Sequence, residues 1–279
     1  MDKILIISGK GGAGKSMLTS ALISFLHERE KVIGVDADVD APDLAVWLNL
    51  NEFEVKKEIY EAKRVNIKKQ PVLKPKAVDL CPHRAIRWKK ARVNYLPYLC
   101  EGCGLCSIIN PEIFEMVDAK NGEIREYKGK YRVIEGHLLP GFTGSGKIVT
   151  DLIKFSEGYS YELMIIDGAP GTGCPVNAAL REANKVIFVV EETINGVSDF
   201  YRTLEVVEHF NKPYWIVINK HGLNDKIHKK LVEEFNVLGA IPYSMEIFKC
   251  ALKRINVFEC KKELINDVLE KIYAEVINQ

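Results

Sequence analysis

The segment that most restricts the fold lies within residues 3–26. A short apolar run, residues 3–8, enters the loop Gly9-Lys10-Gly11-Gly12-Ala13-Gly14-Lys15-Ser16, and residues 16–26 then show helical periodicity. A glycine-rich loop between a buried strand and a helix turns its main-chain N–H groups inward at the positive end of the helix dipole, where phosphates bind. The loop matches G-x-x-x-x-G-K-[ST] in the context that gives the motif meaning. Lys15 is placed to reach the β- and γ-phosphates of a nucleotide, and the Ser16 hydroxyl to bind Mg²⁺. Gly11, Gly12, Ala13, Gly14, Lys15, Ser16 and Met17 are the candidate nucleotide contacts.

The same alternation returns later. Residues 32–36, 163–167, 186–190 and 214–218 are continuous apolar runs, as expected of parallel strands covered on both faces, and 236–241 is a shorter one. Helical stretches lie near 175–183, 196–210 and 224–235, and residues 261–277 close the chain as a helix packed on the sheet. This order predicts a doubly wound, mostly parallel α/β sheet. Between about Asn51 and Pro140 the rhythm breaks: four of the seven cysteines and six prolines fall there, with short strand-like pieces around 121–133. The chain is therefore predicted to hold one α/β domain, 1–52 with 138–279, and a small inserted α+β domain, 53–137.

At 279 residues the chain can bury a substantial core, and 47% hydrophobic with 28% charged residues is ordinary for a globular protein. No apolar run approaches the roughly 18 residues of a membrane span, and the N-terminus enters a strand without a signal-peptide pattern. A cytoplasmic location is expected, where clustered cysteines favour metal binding over disulfides. Cys174, Cys250 and Cys260 share no ligand spacing and are expected to be buried small hydrophobes; the six histidines show no metal spacing either. A net charge of +1 conceals a basic stretch: residues 56–92 hold 13 Lys or Arg against three acids, Glu58, Glu61 and Asp79. Such a stretch is either a solvated face or a docking surface for an acidic protein partner. No nucleic-acid motif accompanies it.

The other four cysteines carry a pattern. Cys81-Pro82 precedes Cys100, Cys103 and Cys106. A two-cluster bacterial ferredoxin repeats C-x2-C-x2-C-x3-C-P, and the fourth cysteine of each run ligates the other cluster. Counted back from Cys81, the first run has Pro71, Lys74 and Ala77 where cysteines are expected; the second has Asn110 in its fourth place, before Pro111. Sorted by cluster, one site has lost all four ligands and the other keeps Cys81, Cys100, Cys103 and Cys106. The pattern predicts one [4Fe-4S] cluster. A four-cysteine zinc site is the competing reading, although zinc sites favour paired C-x2-C knuckles. Arg84, Arg87, Lys89 and Lys90 nearby would favour the reduced, more negative form of a cluster.

Lys10, directly after Gly9, gives the phosphate loop the deviant form that resembles the MinD, ParA, Mrp and nitrogenase iron-protein superfamily of P-loop ATPases. With residues 81–86, 100–106, 144–147 and 167–176, nearly the whole chain resembles superfamily members that carry an inserted ferredoxin domain. Those members usually have eight insert cysteines; here there are four. The resemblance implies that Lys10 crosses a dimer interface to the other subunit's nucleotide. It implies that Asp38, in Asp36-Ala37-Asp38, orients or activates the attacking water, while Asp36 holds Mg²⁺ through water. Asp167, which opens Asp167-Gly168-Ala169-Pro170-Gly171, would be the second carboxylate at Mg²⁺. Gly171 would set its N–H against the γ-phosphate, and Asn219 would read adenine. Asp40 and Asp43 stay open as alternatives, or as helix caps.

The implied activity is Mg²⁺-dependent hydrolysis of ATP by in-line attack of water. ATP or ADP, Mg²⁺ and one [4Fe-4S] cluster are the cofactors. An ATP-dependent homodimer, or a heterodimer with a paralogue, is expected, with a redox or apo iron–sulfur protein as partner and neither nucleic acid nor membrane. Three roles follow: nucleotide-gated electron transfer through the cluster, cluster carriage resembling Mrp, or a MinD/ParA-like regulatory or positioning ATPase with the cluster as a staple. Residues 261–279 are mixed in charge, unlike the basic amphipathic membrane helix expected of MinD.

Overall fold

The computed structural model describes residues 2–278. In chain order the strands are β1 (Asp2–Ile7), β2 (Val32–Asp36), β3 (Phe53–Ile59), β4 (Ala62–Ile67), β5 (Ile86–Lys89), β6 (Arg92–Tyr95), β7 (Phe114–Ala119), β8 (Gly122–Lys128), β9 (Arg132–Leu138), β10 (Leu163–Asp167), β11 (Lys185–Glu191), β12 (Tyr214–His221) and β13 (Val237–Pro242). The helices are α1 (Lys15–Leu26), α2 (Leu44–Trp47), α3 (Lys76–Leu80), α4 (Leu105–Ile109), α5 (Ser145–Ser156), α6 (Cys174–Glu182), α7 (Ile194–His209), α8 (Asp225–Glu234), α9 (Met245–Leu252), α10 (Val257–Cys260) and α11 (Asn266–Ile272).

Continuous apolar runs make a sheet that must be covered on both sides. The large sheet has the order β13-β12-β11-β1-β10-β2-β9-β8-β3, and every pairing from β13 to β9 is parallel. Ile4, Leu5, Ile6 and Ile7 of the central strand are wholly buried. Every residue of α1 is buried too, so this helix is enclosed rather than amphipathic. The order reverses beside β1, and α/β sheets bind ligands at the carboxyl ends of the strands near such a switch point.

The chain divides into a larger unit, residues 1–56, 124–137 and 145–279, and a smaller one, residues 57–123 and 138–144. This differs from the single insert expected at 53–137. Residues 124–137 return to the larger unit because β9 pairs in parallel with β2, Asp36 facing Glu135. They read as polar in the sequence, yet Glu126 and Glu135 are buried among Lys56, Arg125, Lys128 and Arg132.

In the smaller unit two strand–helix–strand pieces follow each other, β4-α3-β5 and β6-α4-β7. The outer strands pair antiparallel, Ala62 with Ala119 through Ile67 with Phe114, and the inner strands form a hairpin, Ile86 with Tyr95. Val65, Ala77, Ile86, Val93, Ile113 and Phe114 form its core.

Three sequence expectations need correction, the first being that Cys174 is exposed rather than buried. Cys250 and Cys260 are joined in a disulfide. The turn between α9 and α10 brings them to a Cα separation of 5.9 Å, within disulfide reach, which their spacing of ten residues does not reveal. The closing helix is also interrupted. A 3₁₀ turn at Lys262–Leu264 precedes α11, and Tyr273–Ile277 winds as a π-helix. Val268, Leu269, Ile272 and Val276 still face the core.

Candidate functional site

Gly14 enters α1 in the left-handed conformation, φ 98°, and a Cβ there would stand 2.0 Å from Asn219 Nδ2. That side chain is held in place: Nδ2 donates to Ala13 O at 2.7 Å. Lys220 Nζ reaches Gly12 O at 3.0 Å, so the end of β12 clasps the phosphate loop from one side. Gly14→Ala is expected to weaken nucleotide binding about tenfold or more, from the left-handed penalty alone; titration with a fluorescent ATP analogue checks it.

Behind the loop sits a buried charge cluster. Lys15 Nζ lies 3.0 Å from Asp167 Oδ1, 3.3 Å from Ser16 Oγ and 3.7 Å from Asp38 Oδ2. Thr19 Oγ1 also donates to Asp167 Oδ1, at 3.0 Å. Burial works against the Lys15 charge, yet Asp167, Asp36 and Asp38 hold its pKa above the ordinary value. Burial, and then the neighbouring Asp167 charge, push Asp36 well above the usual carboxylate range. Its oxygens are committed to the main chain: Oδ1 accepts from Asp38 N at 3.1 Å, and Oδ2 from Asp43 N at 3.0 Å and Leu44 N at 2.9 Å. Asp36 thus organises the loop that carries Asp38. Burial lifts Asp38 to about 6.

Asp43 is the residue that sequence reasoning undervalued. It occupies the N-cap position of α2, but its carboxylate makes no capping bond. Burial raises its pKa, and the nearby Ser16 and Trp47 side chains pull the other way. Asp36, Asp43 and Asp167 each offer an oxygen within 4.8 Å of the others. Asp167 Oδ2 is buried without a hydrogen-bond partner among the described residues. Clustered carboxylates with an orphaned oxygen, beside the Ser16 hydroxyl, fit Mg²⁺, which takes oxygen ligands.

Two clefts adjoin. One of about 600 Å³ is bounded by Gly11, Lys15, Asp38, Asp43 and Pro170 and faces the phosphate loop. The other, about 460 Å³, lies between Gly14, Met17 and Asn219 on one side and Tyr243, Met245 and Phe248 on the other. Met17 and Trp47 border both. A polar cleft continuous with an aromatic one has the shape and chemistry of a nucleotide's phosphates and base.

The remaining expected contacts are placed as follows. Gly171 N–H donates to Ser8 O at 2.9 Å, so a contact with a γ-phosphate requires the loop after β10 to move. Lys10 turns back on its own chain, 2.8 Å from Glu191 Oε2, and Lys220 shares the same carboxylate at 3.3 Å. No sequence signal singles out Glu191 as the partner of Lys10.

In the smaller unit Cys81, Cys100, Cys103 and Cys106 line a single cavity, walled by Val65, Ala77, Ile86 and Met116. Gly102, at φ 67°, lets the loop pass over Lys63 O, where a Cβ would come within 2.4 Å. Burial raises the Cys100 thiol, but the Tyr95 hydroxyl and the N–H groups of Gly102 and Val65, helped by Arg64, outweigh it and lower the pKa. A cavity lined by four sulfurs fits a thiolate-bound group. At the positions of the missing ligands, Asn110 Oδ1 accepts from Ala77 N at 3.2 Å, and Ala77 is buried in the apolar core.

Residues 4–257 match the CobQ/CobB/MinD/ParA nucleotide binding domain family. The chain belongs to this family. Two proteins of Methanocaldococcus jannaschii are similar along almost their full length. Uncharacterized protein MJ0578 is 30% identical, over 98% of this chain and 96% of its own. Uncharacterized protein MJ0579 is 32% identical, over 91% of each. Among solved structures, the septum site-determining protein MinD of Pyrococcus horikoshii, complexed with Mg-ADP, superposes with a TM-score of 0.59 at 16% identity, covering 99% of this chain and 96% of that one. The large, mostly parallel sheet is therefore a MinD-like P-loop fold. No helix among the described residues is long and apolar enough to cross a membrane.

As a member of the CobQ/CobB/MinD/ParA family, the chain has its acidic cluster where Mg²⁺ would meet a nucleotide. Asp43→Ala is expected to raise the Mg²⁺ concentration needed for half-maximal nucleotide binding about tenfold, by removal of one oxygen ligand and of the Ser16 contact. A Mg²⁺ titration at fixed ATP analogue reads it.

Proposed function

We propose that the chain is a Mg²⁺-dependent ATPase whose nucleotide state gates electron transfer to a partner protein through one [4Fe-4S] cluster held by Cys81, Cys100, Cys103 and Cys106. The observation that carries this reading is the convergence of those four thiols on one cavity in a chain of the MinD/ParA-like ATPase family. The paired strand–helix–strand order of the smaller unit supports a ferredoxin-like reading of it, with protein atoms in place of a second cluster. A bound cluster supplies a one-electron redox centre.

The rest is the work of the chain's own groups. With MgATP as substrate, Lys15 and the loop N–H groups neutralise and position the phosphates. Asp38 holds the attacking water in line and accepts its proton. Loss of the γ-phosphate is sensed by the loop after β10, whose Gly171 N–H exchanges between Ser8 O and the phosphate. Lys10 leaves Glu191 to reach the nucleotide of a second subunit, so the dimer forms with ATP. The signal has a covalent path: β9 pairs with β2 next to Asp36 and runs on at Leu138 into the smaller unit. Exposed Arg84, Arg87, Lys89 and Lys90 favour an acidic partner.

Anaerobic purification and reconstitution test the reading. The expected result is about four iron and about four sulfide per chain, lost in Cys81→Ser, with a reduction potential that shifts on adding MgATP. Zinc in place of iron, or iron unaffected by Cys81→Ser, overturns the ligand assignment. A potential indifferent to nucleotide overturns the gating. A second reading, a MinD/ParA-like regulatory or positioning ATPase with a structural metal, is favoured by the likeness to MinD; transfer of iron and sulfide to an apo-acceptor would instead mark a cluster carrier.

A further inference from the structure

Three side chains with no common sequence spacing meet at the carboxyl edge of the large sheet, apart from the acidic cluster and the cysteines. Glu192 follows β11, His221 ends β12, and His228 lies on α8. His221 Nδ1 is 2.8 Å and His228 Nδ1 2.7 Å from the same oxygen, Glu192 Oε1. The imidazole centroids are 4.4 Å apart. The Glu192 side chain is 0% exposed, whereas His221 and His228 are 38% and 29% exposed.

Half-exposed histidines can turn their ring nitrogens to water at little cost. Here both Nδ1 atoms face inward and share one carboxylate oxygen. The other oxygen, Oε2, accepts the Gly222 N–H at 2.9 Å, which fixes the carboxylate plane and leaves Oε1 as the atom presented to the rings. A carboxylate oriented by a main-chain donor, with two imidazoles converging from separate elements, has the donor set and outer support of an open zinc site.

We propose that Glu192, His221 and His228 bind a divalent transition-metal ion of the zinc type, with its remaining positions open to solvent. The ion replaces the protons now shared between the imidazoles and Oε1, and the three donors move apart by a few tenths of an ångström to ligand spacing. It would join the turn after β11, the end of β12 and α8. That turn begins next to Glu191, the carboxylate that holds Lys10, so the ion would also steady the partner of the loop lysine.

Cobalt(II) titrated into the full-length chain is the probe. The expected result is a set of d–d bands equivalent to one cobalt per chain, displaced by zinc and separate from the thiolate charge transfer of any cobalt taken by the four cavity cysteines. His228→Ala should weaken the component without charge transfer at least about tenfold, and Cys103→Ser should alter only the charge-transfer component. His228 lies partly exposed on α8, so this variant keeps the fold, which circular dichroism verifies; Glu192→Gln gives a second removal of a ligand. No band at micromolar cobalt overturns the proposal and leaves a hydrogen-bonded cluster only. So does cobalt absorbance in which no component is lost in His228→Ala.

Discussion

Asp38→Asn is expected to lower ATP turnover by about two to four orders of magnitude and, in the same variant, to raise the melting temperature of the nucleotide-free chain at neutral pH. The two effects share a cause. Burial, with Asp167, Asp43 and Asp40 nearby, raises the Asp38 carboxyl from 3.8 to about 6, although Lys15 pulls the other way. A carboxyl with a raised folded-state pKa contributes most stability below its ordinary value, where both states hold the proton. As pH climbs, the unfolded chain ionises first, and above about 6 the folded chain carries a charge its surroundings disfavour. The stability gap between Asp38→Asn and the parent should therefore open from about pH 4 and level off by about pH 7. Scanning calorimetry in a pH series measures it. Equal melting at neutral pH would mean that the carboxylate is not strained. Turnover in the parent chain should show an acid limb near the same pKa, because the role proposed for Asp38 requires an ionised carboxylate to accept the proton from water.

The second large effect concerns Arg64. Its side chain is 8% exposed by residue area, and its guanidinium donates to the carbonyls of Pro97, Cys100 and Gly141 while lying 3.9 Å over the Phe142 ring. No carboxylate pairs with it among the described residues. A buried cation needs a compensating anion, and the group nearest in chemistry is the Cys100 sulfur, whose pKa it helps to lower. With the proposed cluster in place, Arg64→Gln is expected to lower the reduction potential by on the order of 60 mV, the one-electron equivalent of a tenfold change. Arg64→Lys, which keeps the charge, should restore most of it. Titration followed by electron paramagnetic resonance separates this from a packing role, which would weaken both variants without moving the potential.

Much of this arrangement is legible from the residues because the strongest signals are physically redundant. Strands β1, β10, β11 and β12 are apolar on both faces, so length and composition agree. The phosphate loop announces itself through glycines that no other residue can replace at Gly14. The missed features are those in which charge is buried. Glu126 and Glu135 hid that the strand-like pieces around 121–133 belong to the large sheet, although salt bridges offset their charge. Asp43 looked like a helix cap because its position is one, and only the fold shows that its carboxylate turns toward Ser16. Glu191 and Glu192 are adjacent in sequence yet serve different neighbours, Lys10 in one case and two histidines in the other. Such pairings depend on tertiary contacts that local pattern does not encode.

The Cys250–Cys260 bond gives the chain sulfur in two oxidation states at once, since Cys81, Cys100, Cys103 and Cys106 are free thiols. Thiol–disulfide exchange needs an accessible sulfur as well as a driving force. Cys250 is 0% exposed, whereas Cys103 lies open to solvent. Cys260 is partly exposed, so exchange is open at that sulfur and closed at Cys250. Any motion of α9 that uncovers Cys250 would open the second sulfur. Because Met245, Ile247, Phe248 and Ala251 of that helix line the aromatic cleft, an empty cleft and a filled one should differ in how fast a small reductant severs the bond.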